Sequence, residues 1–422
     1  MTRVPRLITA AAVALALTAG AARAADLTWM GSSYAEPANK PAVERMIAGF
    51  KTSSGLTVEP LGFAWGDMQK NIFLKARSNT LPEIVQLQER WLPTVVNLPT
   101  LVDLNTVFGK EKLEATFAPE ALALGNIDGH QWGLPLFSGT VGMVANKAVL
   151  EQAGVAVPKT VEEFKAALIT IRDKIPNSVP YPMATKNNGS IVLDFMIWNW
   201  VFGGSIIDDG GKAVIDSDAS RTALAFVVDL VKERLAAPEI DRPDSRRLTA
   251  QGQSGFYIDA PVTRSFLRDF SGKGEAFDAN VLPMAMPVLK GGDKPVSVQW
   301  GHILSMFAPD AKAVPEDAAS KLLAYATSDE AQTDFPIALS ALPTTKSARE
   351  KVAGDAYLSN WAKAAGEPRP NEVGIWSNAA ELNQIVGEEV QAAMLGLKSV
   401  DDAIAAMQSR LSDSMAKAKP AN

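Results

Sequence analysis

The sequence predicts layered α/β domains, and three observations carry that expectation. Short β-rich runs alternate with amphipathic helical patterns along the chain. The length of 422 residues suits two domains of ordinary size. Two apolar, proline-marked segments, residues 132–137 and 281–287, interrupt the alternation where an extended chain can pass between two lobes. Edge strands or turns are the competing reading of that pair, since proline is poorly suited to a central strand.

Residues 1–24 read as a secretory signal peptide. Arg3 and Arg6 give a positive start, residues 7–20 form an apolar run without charge, and Ala22-Arg23-Ala24 supplies the small-x-small site for cleavage after Ala24. A membrane anchor is the competing reading, but a spanning helix needs roughly 20 apolar residues. The chain has no cysteine, so neither a disulfide framework nor a lipoprotein anchor is expected. A soluble, exported protein held by neither lipid nor helix fits the periplasm.

The elements then follow in order. Residues 27–30 read as a first strand, ending in the polar turn Gly31-Ser32-Ser33, and Val43, Met46, Ile47 and Phe50 recur at helical spacing. Residues 56–61 and 84–87 are the second and third strands. Thr160 and Glu163 have capping-box spacing ahead of a helix carrying Phe164 and Leu168. Leu224, Val227, Val228 and Val231 form another buried stripe, and Ser399 with Asp402 opens a helix carrying Ile404, Met407 and Leu411.

Composition narrows the function. Hydrophobic residues at 47% and charged residues at 21% describe a well-packed chain, not a disordered one. The formal charge of −6 becomes about −9 once Arg3, Arg6 and Arg23 leave with the signal, which argues against nucleic acid and anionic membrane as partners. His130 and His302 are the two histidines, so with no cysteine neither a zinc or copper site nor any cofactor is expected. No G-x-S-x-G elbow, P-loop or G-x-G-x-x-G is present.

Several ordered motifs then resemble the family 1 extracellular solute-binding proteins of ABC importers, the group that includes maltose-binding protein. Asp128-Gly-His-Gln-Trp-Gly-Leu-Pro135 looks like the family's hinge segment. Asn146-Lys147, Leu150 and Ala153-Gly154 resemble the run that follows it, and Pro158-Lys-Thr160-Val-Glu-Glu163-Phe resembles the next. Gly203-Gly204, Leu282-Pro283 and Leu342-Pro343 fall in the expected order. Gly252-Gln-Ser-Gly-Phe256-Tyr257-Ile-Asp259 departs from the family pattern at residues facing the cleft.

The resemblance implies a two-lobed periplasmic binding protein fold, with a ligand cleft between lobes joined by crossing strands. Lobe 1 would take residues 25–134 with 288–340, and lobe 2 residues 135–287 with 341–422. It implies a monomer that captures a carbohydrate or sugar derivative by closing its cleft and delivers it to the permease subunits of an ABC importer, without chemistry of its own.

Nine tryptophans against five tyrosines supply flat surfaces on which sugar rings stack, and placed polar groups would meet the hydroxyls. Trp65, with Asp67 close behind, and Glu89, Arg90 and Trp91 follow strands, where ligands of open α/β sheets bind. Phe137 and Ser138 lie just beyond the first crossing, and Trp300, Gly301 and His302 follow the second. The resemblance raises Trp65, Trp91, Trp300 and Trp376 as stacking residues. Trp198, Tyr257, Asp259 and Arg264 complete the candidates. Core packing is the alternative for each aromatic, and a solvated charge for each ionic group. Trp361 reads as surface packing. Two other functions stay open: the same role for an anionic solute (a sugar acid, sulfonate or glycerol phosphodiester) or a peptide, and an exported glycoside hydrolase.

Overall fold

The computed structural model describes residues 25–417. The expected signal peptide lies outside the described residues. Three parallel strands start the chain: β1 (Leu27–Gly31), β2 (Val58–Gly62) and β3 (Ile84–Gln88), in the order β2-β1-β3. The helix Lys40–Ser54 connects the first two and buries Ala42 together with three of the four apolar positions its periodicity marks, Val43, Met46 and Phe50. It ends at Gly55, whose φ of 73° is a left-handed cap that glycine adopts without steric cost. A two-stranded hairpin, β4 (Asn126–Ile127) with β5 (His130–Gln131), precedes the first crossing.

Two long strands tie the halves of the molecule together. β6 (Leu134–Asn146) is thirteen residues long. Its first part runs antiparallel to β9 (Val296–Met306), from Leu134 opposite Leu304 to Val141 opposite Val298. Its last residues pair instead with β7 (Phe256–Asp259) and β8 (Val281–Met284). β9 in turn pairs with β3, placing His302 opposite Gln88. The first proline-marked segment therefore is the start of a crossing strand. The second is not: residues 281–284 form β8, which pairs with β6 alone, an edge position where Pro283 removes no ladder bond that the sheet needs. Val288 is still hydrogen-bonded to Lys159 and Val161 in the second half, so β9 makes the second passage. A third link is the segment around Ser340, where Leu342 exchanges backbone hydrogen bonds of 2.9 and 3.0 Å with Ser138. A short last strand, β10 (Glu367–Arg369), joins β9.

Helices pack on both halves for reasons visible locally. Thr160 accepts from Glu163 N at 3.2 Å while the Glu163 carboxylate accepts from Thr160 N, opening the helix Val161–Lys174 with a reciprocal cap. Its Phe164, Leu168 and Ile171 are fully buried with Tyr181, Phe195 and Trp198. Ser399 caps the helix Val400–Met415 through Asp402 N at 3.1 Å. Trp361, expected at the surface, is buried, and its indole N–H donates to Thr140 O at 3.0 Å on β6. Among the described residues, no helix is long and apolar enough to cross a membrane.

Candidate functional site

A cavity of about 460 Å³ opens between the two halves, and residues of both line it. The first half contributes Ser33, Glu36, Trp65, Gln88 and Arg90. The crossing strands supply a floor of Phe137, Trp300 and His302. Asn188, Ser190, Arg242, Arg246, Asp259 and Phe266 face them from the second half. The halves also touch directly, where Ser265 Oγ donates to Asn39 Oδ1 at 3.3 Å.

The floor is an aromatic stack. The Phe137 ring lies 4.7 Å from the His302 imidazole, nearly parallel, and 5.4 Å from Trp300. Ser33 N donates to Gln86 Oε1, which fixes the amide so that Gln86 Nε2 donates to His302 Nδ1 at 3.0 Å. Burial and the nearby Arg90 push the imidazole down to about 3. His302 is thus neutral with its proton on Nε2, a fixed donor rather than a charge.

The walls are polar and mostly self-paired. Arg246 grips Asp259 with a fork of 2.7 and 3.0 Å and lies 3.8 Å over the Phe266 ring. Burial alone would raise the Asp259 carboxyl, but Arg246 reverses the sign and holds it below the ordinary value. Arg242 donates to Asp194 and to the Ile258 carbonyl. Glu36 accepts from Asn39 at 2.7 Å, and burial raises its carboxyl despite Arg246. Trp65 is held by its indole N–H on Gln88 Oε1 at 2.9 Å, with the Arg90 guanidinium 5.3 Å from its ring.

Glu89 sits behind this wall, lining a second cavity of about 350 Å³ that Arg90 shares. Its carboxylate accepts from Gly301 N at 3.0 Å, and burial pushes its carboxyl up to about 7. The folded state therefore holds a proton that the unfolded chain has released above about 4.5, so stability falls as pH rises from about 4.5 to about 7. Glu89→Gln is expected to flatten the melting-temperature profile over that window while keeping the acceptor for Gly301. Parallel profiles for the two proteins would show that Glu89 does not titrate there.

Of the sequence candidates, Trp65, Arg90, Phe137, Asp259, Trp300 and His302 line the main cavity. Gly301 backs it, because a Cβ there would come within 2.4 Å of Leu124 and 2.9 Å of the Phe137 carbonyl oxygen. Other candidates lie elsewhere. Trp91 is buried behind Trp65, with ring centres 5.6 Å apart. Asp67 is exposed on the first turn of the helix Trp65–Arg77. Ser138 bridges to Leu342 and accepts from Arg349 at 3.2 Å. Trp198 is fully buried, donating to Tyr181 Oη at 2.9 Å, because its helix Gly189–Val201 is apolar all round. Tyr257 is buried within β7 against Thr263. Arg264 turns away to Ser340 Oγ at 2.9 Å and stacks 4.2 Å over Tyr357. Trp376 packs on Gly211.

The sequence reading missed Ser33, Glu36, Ser190, Arg242 and Arg246. The last two sit on the helix Arg242–Ala250, whose charges without an apolar stripe read as a solvated face. Asn188 lies in the polar stretch Asn187-Asn188-Gly189, whose facing the sequence leaves open. Among the described residues, no cluster of three or more His, Cys, Asp or Glu could hold a metal ion.

A family model described as bacterial extracellular solute-binding protein matches residues 45–366. Proteins of Brucella abortus and Brucella suis, both named as binding proteins, are 21% identical over 234 residues, 54% of this chain and 56% of theirs. The chain thus spans about half the length of the curated relatives it matches. The GacH receptor of Streptomyces glaucescens, solved unliganded and with acarbose, superposes with a TM-score of 0.81 at 20% identity, covering 93% of this chain and 99% of that one. Maltose-bound MalE3 of T. maritima gives 0.79 at 21%, covering 92% and 99%. A solute-binding protein of Thermotoga lettingae bound with alpha-D-tagatose gives 0.79 at 21% over the same shares. The fold is the two-lobed one of these binding proteins.

Proposed function

The chain belongs to the bacterial extracellular solute-binding protein family, and from that premise we propose that it captures a carbohydrate or sugar derivative in the cleft and presents it to the permease of an ABC importer. One observation carries the reading: Trp65, Phe137 and Trp300 share a cavity with fixed hydrogen-bonding groups, and that cavity is lined from both halves. Sugar rings present apolar C–H faces to flat aromatics, while their hydroxyls need donors and acceptors at the ring edge. His302 Nε2–H, Asn188, Ser190 and the Arg246–Asp259 pair are of that kind. The acarbose, maltose and tagatose bound by its structural neighbours support the same class of ligand. A solute that touches both halves favours the closed arrangement by its greater affinity for it.

In this reading residues 1–24 direct export to the periplasm and are removed, and the mature chain works as a monomer without catalysis. Residues 25–134 belong to one lobe and most of 135–287 to the other, with the handover inside β6 and β9 rather than at residue 288. The binding residues are Trp65, Arg90, Phe137, Asp259, Trp300 and His302, together with Asn188, Ser190 and Arg246.

A thermal-shift screen of mono- and oligosaccharides tests the function, because a ligand specific for the folded state raises the melting temperature. Recovery of the sugar unchanged separates capture from hydrolysis by an exported glycosidase. For a hit, Trp65→Ala is expected to weaken binding at least tenfold, about 1.4 kcal/mol, without unfolding the protein, since Trp65 is only partly buried. An unaltered dissociation constant by calorimetry would take Trp65 out of the site.

A further inference from the structure

Arg90 differs from the other two arginines of the cleft. Arg242 is matched by Asp194 and Arg246 by Asp259. Among the described residues, the Arg90 guanidinium has no hydrogen-bond acceptor, only the face of Trp65. Its neighbour Glu89 is the negative group acting on it, but that carboxylate is turned to Gly301 N, and burial raises its carboxyl to about 7. The other groups acting on Arg90 do not offset it. Arg242 repels it from across the cleft, and His302 beside it is neutral. Of the cleft's remaining carboxylates, Glu36 is bound by Asn39, Asp241 is tied into the cap of the helix Arg242–Ala250, and Asp269 is exposed on the helix Thr263–Ser271.

The second half brings a positive helix end to the same place. The helix Gly189–Val201 is thirteen residues long and starts in the cleft, with Asn188 and Ser190 on the cavity wall. A Cβ built on Gly189 would lie 3.8 Å from Arg90 Nη2 and 3.9 Å from Trp65 Cη2, so the helix start abuts the cation across the lobe boundary. Asn188 caps this end, its side chain accepting from Ser190 N at 2.8 Å and its carbonyl from Ile191 N at 3.2 Å, and the aligned peptide dipoles still leave partial positive charge there. Two positive features from opposite halves thus face one another, an arrangement that repels until an anion lies between them.

We infer that Arg90 and the start of the helix Gly189–Val201 together hold one anionic group of the solute, making the ligand an acidic saccharide rather than a neutral sugar. This inference rests on the carbohydrate reading and narrows it. The shared chemistry is an oxyanion at the edge of a sugar ring, with Trp65 beneath Arg90 as the stacking surface. Because the anion touches both halves, it favours the closed cleft by neutralising a repulsion that the open cleft relieves by distance.

Calorimetry on the mature protein tests this with matched probes. Methyl glucoside and maltose are the neutral arm. Glucuronate and galacturonate carry a carboxylate, 6-deoxy-6-sulfonato-glucose a sulfonate, and glycerophosphoryl-glucose a phosphodiester. At least one anionic probe is expected to bind tenfold or more tightly than the neutral sugars, with affinity that falls as salt rises. Arg90→Gln is expected to cost that probe at least tenfold more affinity than it costs a neutral sugar. If Arg90→Gln does not fold, the salt dependence of the unaltered protein decides. Neutral sugars binding as tightly as every anionic one, or equal losses for both arms in Arg90→Gln, would overturn the acidic-ligand inference and leave the carbohydrate reading standing. Silence from every probe would instead overturn the carbohydrate reading and this inference with it.

Discussion

Asp194→Ala is expected to lower the free energy of unfolding by about 3–5 kcal/mol, the range for breaking a buried ion pair from one side. Asp194 has no solvent exposure and Arg242 is 9% exposed. One carboxylate oxygen accepts from the Arg242 guanidinium and the other from Ala184 N at 2.9 Å. Burial raises the Asp194 carboxyl, and the Arg242 guanidinium pulls against that shift. Alanine would leave the Arg242 guanidinium in the cleft wall without its hydrogen-bonded counter-ion and the Ala184 amide without an acceptor. The released charge would also add to the repulsion between Arg242 and Arg90 across the cleft. Asp194→Asn separates the two losses, since the amide oxygen can still serve Ala184 while the charge is gone. Urea titration of both variants measures the effect. A loss below about 1 kcal/mol for Asp194→Ala would mean that the pair is solvated, as surface pairs of that worth are.

What the sequence made legible follows from the range of the interactions involved. Capping at Thr160 and Ser399, the buried faces of the first helix and the three opening strands depend on neighbours a few residues apart, and each appears in the structure. Trp65 and Arg90 were legible because a residue just past a strand of an open sheet has little choice but to face the cleft end. Trp198 was not, because a helix with apolar residues on every side offers no facing signal. Tyr257 stands two residues before the cleft residue Asp259 and so shares its face of β7, but all four residues of that strand are buried and the Tyr257 hydroxyl is paired with Thr263, which strand spacing does not reveal. The second crossing was placed on β8 for its prolines, whereas β9 carries no proline at all within residues 296–306. Arg242 and Arg246 were hidden for another reason. Their partners Asp194 and Asp259 lie 48 and 13 residues away, and only the fold brings them together.

Trp376→Ala is expected to cost about 3–5 kcal/mol of stability, as for other buried aromatics cut to alanine, and to leave ligand affinity within twofold. The indole is 7% exposed and its N–H donates to Glu372 O at 2.9 Å. The ring presses on Gly211, where an added Cβ would come within 2.8 Å of it, and Gly211 has the positive φ of 79° that glycine tolerates. Glu372 is itself an anchor: its carboxylate accepts from Trp200 Nε1, from Ser205 Oγ at 2.8 Å and from Ile206 N at 2.7 Å. Removing Trp376 therefore opens a void beside a segment that ties three parts of the second half together, while no atom of the ring lines the main cavity. The variant pairs with Trp65→Ala as its converse: one should lose stability and keep affinity, the other lose affinity and keep its fold. Melting and calorimetry on both variants read the two quantities separately. A tenfold weaker ligand with an unshifted melting point in Trp376→Ala would move this tryptophan back among the stacking residues, as its place in the sequence suggests.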